Sequence, residues 1–243
     1  MNDTIILIPA RIGSTRLPRK PLLKINGREM ILHVWDKAQN TKAEKVVVAT
    51  DSQEIAEVLH KEGAEVIITN PSHQSGTDRI YEALNKLDKE KSYKYIINLQ
   101  GDLPNITSDI INLGIDNIRN TDADILTYCR EIDDPVDVGN PNIVKIATHK
   151  EKNNELNALY FSRSAIPYGA NIYFEHIGIY VYKRDALDRF VSMDPSTLET
   201  TEKLEQLRAL EGSMKINLIL VDDKIISIDT IDDVERLSII SDN

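Results

Sequence analysis

The chain has 243 residues and a formal net charge of -10, with 39 acidic residues against 29 basic ones. That balance argues against a general nucleic-acid binder, so any anionic ligand must be met by local positive charge. The lone Cys129 excludes an intramolecular disulfide, no Cys/His cluster supports a zinc site, and no apolar run approaches the ~18 residues of a membrane-spanning helix.

The first element is an apolar run, Ile5–Ile8, that stops at Pro9. It reads as a buried strand, not as a leader segment, and the expectation is a soluble cytoplasmic protein without membrane insertion. The strand feeds a loop carrying Arg11, Gly13, Ser14, Thr15, Arg16, Arg19 and Lys20. Its positive charges repel one another unless an anion sits among them, and a phosphate chain is the obvious candidate. Gly13 permits close backbone approach, the Ser14 and Thr15 hydroxyls can donate, and arginine grips oxygens bidentately. The same residues also suit a solvated basic turn.

Next, Pro21–Gly27 reads as a turn, and Met30, Ile31, Val34, Trp35 and Ala38 form one apolar helix face. A second apolar run, Lys45–Ala49, leads into Asp51-Ser52-Gln53-Glu54, whose Asp-x-x-Glu spacing suits a capping box. A third strand is expected at Glu65–Thr69. The polar segment His73–Arg79 then opens a helix, either as a nucleotide-binding turn at a helix dipole or as a plain loop capped by Ser75 or Thr77. Tyr95–Leu99 is a fourth strand, running into Gln100-Gly101-Asp102. Continuous apolar strands alternating with amphipathic helices predict an α/β fold with a mostly parallel sheet, and ligands belong at the strands' carboxyl ends.

The middle changes texture. Strand-like runs at Ile143–Thr148, Asn157–Phe161 and His176–Tyr182 predict a β-rich insert, with Glu151–Glu155 as an exposed hairpin turn. Cys129, in the apolar run Ile125–Cys129, reads as a small buried residue. Helices are expected at Arg184–Val191 and through Leu204, Leu207 and Leu210, and strands at Ile216–Val221 and Ile225–Ile228. A last helix has Thr230 as its cap. Asp102 and Asp229 each follow a predicted strand, so two carboxylates from separate strand ends could share one Mg²⁺ with phosphate oxygens, or could serve as ordinary turn and cap residues.

In order along the chain stand Pro9-Ala10-Arg11, Ser14-Thr15-Arg16-Leu17-Pro18, Lys20-Pro21-Leu22, VVVATD (Val46–Asp51), HQSGTDR (His73–Arg79) and LQGD (Leu99–Asp102). They continue with NPNIVK (Asn140–Lys145), YFSRSAIP (Tyr160–Pro167), HIGIY (His176–Tyr180), LEQLR (Leu204–Arg208) and IDT (Ile228–Thr230). Together they resemble the 3-deoxy-manno-octulosonate cytidylyltransferases, the CMP-Kdo synthetases. The sequence departs from that family's common pattern at Leu103, where a carboxylate is usual, and at Arg19, where glycine is.

The resemblance implies a three-layer α/β/α nucleotidyltransferase fold, Rossmann-like, in a single domain over residues 1–243. Within it, 1–127 and 211–243 would bind nucleotide and metal, and 128–210 would bind the sugar and form a homodimer. CTP would bind with Mg²⁺, the anomeric hydroxyl of Kdo would attack the α-phosphorus, and pyrophosphate would leave, giving CMP-Kdo for lipopolysaccharide assembly. Arg11, Arg16, Lys20 and Asp102 are the implied catalytic residues, and Asp102 and Asp229 the metal ligands. Nucleotide contacts fall to Pro9, Ala10, Arg11, Ser14, Thr15, Arg16, Lys20, His73, Gln74, Ser75, Gly76, Arg79 and Gln100, and sugar contacts to Arg163, His176, Tyr180, Glu205 and Gln206. The alternatives are a cytidylyltransferase for a related acidic sugar, such as 8-amino-Kdo or a nonulosonic acid, and a non-catalytic nucleotide-binding relative.

Overall fold

The computed structural model describes residues 3–13, 17–151 and 155–241. In chain order the elements are β1 (Thr4–Ala10), a 3-10 turn (Lys20–Leu22), β2 (Lys24–Ile25), β3 (Arg28–Glu29), α1 (Met30–Gln39), β4 (Lys45–Thr50), α2 (Gln53–Lys61), β5 (Glu65–Ile68), α3 (Gly76–Leu87) and β6 (Tyr95–Leu99). They continue with α4 (Ser108–Asn117), β7 (Ile125–Glu131), α5 (Pro135–Val138), β8 (Lys145–Lys150), β9 (Leu156–Ser162), β10 (Phe174–Lys183), α6 (Arg184–Ser192), α7 (Thr197–Glu202), α8 (Gln206–Glu211), β11 (Ile216–Leu220) and α9 (Ile231–Ser241). The chain divides into two compact units, Met1–Ile115 with Ile225–Asn243, and Asp116–Lys224.

In the first unit the strands run in the order β5-β4-β1-β6, and each adjacent pair is parallel. Every residue of β1 is buried. This is why its sequence is an unbroken apolar run: a parallel strand is covered on both faces, by α1 and α3 among others. The Pro21–Gly27 turn resolves into a small hairpin, β2 with β3, in which Asn26 and Gly27 take φ of 50° and 80°. That Asn-Gly pair suits a two-residue hairpin, which needs positive φ at both positions.

Two sequence expectations change here. Ser52, not Asp51, caps α2, its hydroxyl accepting from the Ile55 N–H, which leaves the Asp51 carboxylate for other partners. Ile225–Ile228 is not a strand. It is an irregular segment in which Ile226 and Ile228 are buried against Ile25, Met30 and Leu237. Its amides are satisfied individually, Ile226 N by the Asn105 side chain at 3.0 Å and Ile228 N by the Asp102 carbonyl at 3.0 Å. Alternating burial without a neighbouring strand explains why it reads as one.

In the second unit the order is β10-β7-β11-β9-β8, with β7 and β11 parallel and the other neighbours antiparallel. β8 also pairs with the start of β10, through Phe174 and Ile146, so the ladder returns to its first strand. The Glu151 N–H donates to the Glu155 carbonyl at 2.8 Å and frames the expected hairpin turn, whose centre, 152–154, lies outside the described residues. The helix expected through Leu204 is two short helices instead. Lys203 adopts φ 57° and ends α7, and α8 begins at Gln206. Cys129 is fully buried, and burial pushes its thiol up to about 12, leaving it a packing residue. Among the described residues no helix is long and apolar enough to cross a membrane.

Candidate active site

At the carboxyl ends of β1 and β6 an open cavity of about 270 Å³ is lined by Pro9, Ala10, Arg11, Lys20, Pro21, Met30, His73, Gln74, Ser75, Gly76, Arg79, Gln100, Gly101, Asp102 and Asp229. Residues separated by more than two hundred positions meet here because strand ends, the start of α3 and the Ile225–Ile228 segment all close on one another within the first unit. Ser14, Thr15 and Arg16 lie outside the described residues.

One wall is the start of α3. Ser75 caps it, accepting from the Asp78 N–H at 3.0 Å, so the sequence alternative of Ser75 or Thr77 resolves to Ser75. Gly76 packs closely, since a Cβ there would stand 3.2 Å from Pro9 Cγ. At Gly101 a Cβ would come within 2.9 Å of Ile31 Cδ1. Thr77 instead anchors a relay: Asn98 donates to its hydroxyl at 3.2 Å, and Gln100 Nε2 donates to Asn98 Oδ1 at 2.9 Å, which fixes the Gln100 amide at the cavity edge. His73 contacts Glu82. Partial burial opposes ionisation of Glu82, but hydrogen bonds from Lys86, the Asn70 N–H and His73 outweigh it and hold its carboxyl at about 2.

The other wall carries charge. Lys20 Nζ donates to Asp102 Oδ2 at 2.7 Å and to Asp229 Oδ1 at 2.9 Å. Burial alone would push this ammonium down, yet Asp102 first and Asp229 second raise it above its ordinary 10.5, so it stays charged throughout the neutral range. Asp229 reaches the site because Ile226 and Ile228 are packed into the core just before it. Asp233 accepts from the Asp229 and Thr230 N–H groups at 2.9 and 2.8 Å, closing the first turn of α9. Leu103, next to Asp102, is 3% exposed and joins the core.

The donor set suits a hard divalent cation, since two carboxylates already converge on one positive charge. Among the described residues no group of three or more His, Cys, Asp or Glu side chains is placed to hold a metal alone. Mg²⁺ commonly takes only one or two protein carboxylates and completes its shell with phosphate oxygens and water, so Asp102 and Asp229 fit.

Arg79 behaves differently from its neighbours. It is 2% exposed, and its guanidinium donates to Thr69 Oγ1 at 2.7 Å and to Asp51 Oδ2 at 2.8 Å, so both terminal nitrogens are engaged within the protein. The Asp-x-x-Glu spacing presents Asp51 as a cap, and its separation from Arg79 carries no local periodicity that would pair the two.

The residues implied for the sugar lie in the second unit. His176 and Tyr180 flank a β-bulge in β10, their ring centroids 5.5 Å apart. The Thr127 hydroxyl closes the bulge by donating to the Ile179 carbonyl at 2.7 Å, and so accepts from His176 Nε2 at 2.9 Å. Part of the His176 surface is accessible, but packing against Phe161 and Tyr180 strips the ring of water, and this desolvation holds it down at about 3. Burial, then Tyr182 and Glu205, raise the Tyr180 hydroxyl well above 10.0. Gln206, at the start of α8, is 6% exposed. Arg163 donates from Nε to the Glu202 carbonyl at 3.1 Å and from Nη1 to the Pro141 carbonyl at 2.9 Å. Lys145, not singled out from sequence, is fully buried and donates to the Asn140 and Ile143 carbonyls at 2.8 and 2.7 Å. Only the block Asn140–Lys145 could have pointed to it.

A family model described as cytidylyltransferase matches residues 5–216. The chain is 46% identical to the 3-deoxy-manno-octulosonate cytidylyltransferase of Bartonella bacilliformis over 96% of both chains. It is 48% identical to that of Bartonella henselae over 97% of both. Among solved structures, a CMP:2-keto-3-deoxy-manno-octonic acid synthetase complexed with CTP superposes with a TM-score of 0.89 at 34% identity, covering 99% of both chains. A 4-diphosphocytidyl-2C-methyl-D-erythritol synthase from Anaerococcus prevotii, 12% identical with a TM-score of 0.68, shares the fold. Matched along nearly its whole length, the chain belongs to the 3-deoxy-manno-octulosonate cytidylyltransferase family.

Proposed function

We propose that this protein transfers CMP from CTP to Kdo with release of pyrophosphate, in a Mg²⁺-dependent reaction. The observation that carries the reading is the meeting of Lys20, Asp102 and Asp229 in one cavity with the capped start of α3 and the exposed Arg11. A transfer of this kind needs no covalent enzyme intermediate. The anomeric hydroxyl of Kdo forms its bond to the α-phosphorus as the bond to the pyrophosphate oxygen breaks, and the hydroxyl proton is lost to solvent or to a base.

Catalysis is then positioning and charge neutralisation. The N–H groups and dipole at the start of α3, with Ser75 and Gly76, receive the nucleotide, while Arg11 and Arg16 meet the triphosphate. The Gln100 amide, held by Asn98, offers a directed polar contact at the cavity edge. Asp102 and Asp229 would hold Mg²⁺, which supplies electrophilic charge to the phosphate oxygens. Lys20, bonded to both carboxylates, keeps a charged ammonium in the same cavity to meet the triphosphate. In the second unit, Arg163, His176, Tyr180, Glu205 and Gln206 take the sugar acid. His176 does so as a neutral ring, since its desolvated position resists protonation.

The proposal includes a homodimer formed through the β-rich region, supported by the apolar side chains it exposes, Leu159 at 60% and Leu220 at 53%. It also includes a cytoplasmic location, where CTP is made. The test is pyrophosphate release in mixtures of CTP and Mg²⁺ with Kdo, with related sugar acids, with a neutral aldose, or with no sugar. Release that requires Kdo and Mg²⁺ is expected. Equal release with a neutral aldose, or full release without Mg²⁺, would overturn the corresponding part of the reading.

A further inference from the structure

Asp51 directly follows β4, yet Ser52 and not Asp51 caps α2. Its Oδ1 accepts from the Ile12 N–H at 3.3 Å, and its Oδ2 accepts from Arg79 Nη2 at 2.8 Å. Ile12 lies in the cationic loop between Arg11 and Gly13. Arg79 lies in the first turn of α3, three residues after Gly76, and is pinned from its other side by Thr69 Oγ1 at 2.7 Å. One carboxylate therefore joins the two sides of the cavity. The arginine side chain of the pair is 3% exposed and the carboxylate 11%, so water does little to screen either.

We propose that Asp51 is a positioning residue that clamps the cationic loop to the start of α3. It sets the distance between Arg11 and the Ser75–Gly76 turn, the two sides that take the triphosphate. Arg79 serves as the buried counter-charge that orients the clamp, not as the nucleotide contact its place in the HQSGTDR motif suggests. This inference rests on the CTP reading given above. Direct removal of Asp51 would strand a buried guanidinium and could unfold the chain for that reason alone.

The decisive comparison is between two double variants, both without the buried charge pair: Asp51→Asn with Arg79→Met, which keeps an acceptor for the Ile12 N–H, and Asp51→Ala with Arg79→Met, which does not. Two readouts are taken on the full chain, hydrogen exchange at the Ile12 amide without nucleotide, and CTP affinity by calorimetry. The clamp predicts Ile12 exchange and a CTP dissociation constant each about tenfold higher in the alanine variant than in the asparagine variant, the scale of one hydrogen bond worth ~1.4 kcal/mol. Equal exchange at Ile12 in the two variants would overturn the clamp. Faster exchange with equal CTP affinity would overturn its role in nucleotide binding. Failure of the parent protein to bind CTP would overturn the functional reading instead, with the Ile12 exchange still deciding the clamp.

Discussion

The Lys20 ammonium donates to Asp102 at 2.7 Å, and the same nitrogen reaches Asp229 at 2.9 Å, so one cation holds two carboxylates from segments far apart in the sequence, just after β6 and just before α9. If these carboxylates are also the metal ligands, Asn at either position removes a formal charge while keeping the size. Turnover in Asp102→Asn and in Asp229→Asn should fall at least ~100-fold, the scale of one lost preorganised electrostatic contact, with circular dichroism unchanged. Near-parent turnover in both variants at modest Mg²⁺ would return the two residues to turn and cap roles.

Lys20→Met leaves Asp102 and Asp229 facing each other without the cation between them. Like charges at short range destabilise, so the melting temperature should drop in metal-free buffer. Mg²⁺ should then raise the melting temperature of Lys20→Met by more than it raises that of the parent, because the divalent ion no longer competes with the ammonium. An equal response in both proteins would count against a shared site. Turnover should fall strongly in this variant.

Arg19 stands at φ 59°, a left-handed conformation that glycine adopts without strain, and its exposed side chain pairs with Glu54. Such a conformation suits the glycine that the family resemblance implies at this position. The exposed ion pair contributes at most about 1 kcal/mol. Relief of backbone strain in Arg19→Gly is of similar size. Denaturant midpoints should therefore shift by no more than about 1 kcal/mol equivalent, and turnover should stay near the parent's. A large loss of CTP use would show that Arg19 contacts the triphosphate.

His176 is held near 3 by desolvation, below its ordinary 6.5. Between these values the unfolded chain binds a proton that the folded chain refuses, so stability is present above about 6.5 and is lost as pH falls toward 3. The slope from this group approaches ~1.4 kcal/mol per pH unit inside that window. Urea titrations from pH 4 to 7 should show a shallower pH dependence in His176→Gln than in the parent. Identical slopes would mean that the ring protonates freely in the folded state.

In the proposed reaction Arg163 is the cation assigned to the Kdo carboxylate, and its Nε and Nη1 are already anchored on the carbonyls of Glu202 and Pro141. A charge-assisted contact is worth roughly 1.5–3 kcal/mol. Arg163→Ala should therefore raise the KM for Kdo or lower turnover by about 10–150-fold while leaving CTP affinity nearly unchanged. Separate titrations of the two substrates test this, and a parallel loss for CTP would overturn the sugar assignment.

The apolar strands β1, β4 and β6 and the amphipathic face of α1 could be read directly from the chain, and the cap of α3 could be narrowed to Ser75 or Thr77. Each depends on side-chain period or on residues three or four apart. The ordered motifs also pointed to the family, and the strand ends paired Asp102 with Asp229; that Lys20 bonds to both is visible only in the structure. What sequence reasoning misplaced depends on partners far along the chain. Asp51 looked like a cap until Arg79 and Ile12 took its two oxygens, and Ile225–Ile228 looked like a strand because its alternate residues are buried, although no strand lies beside it. The unbroken helix through Leu204 failed at Lys203, where a left-handed residue lets α7 and α8 pack separately. Local chemistry sets which residues are apolar, charged or able to cap. Which oxygen meets which nitrogen across the fold is decided only when packing brings distant segments together, because a hydrogen bond or ion pair leaves no periodic trace in the sequence on either side of it.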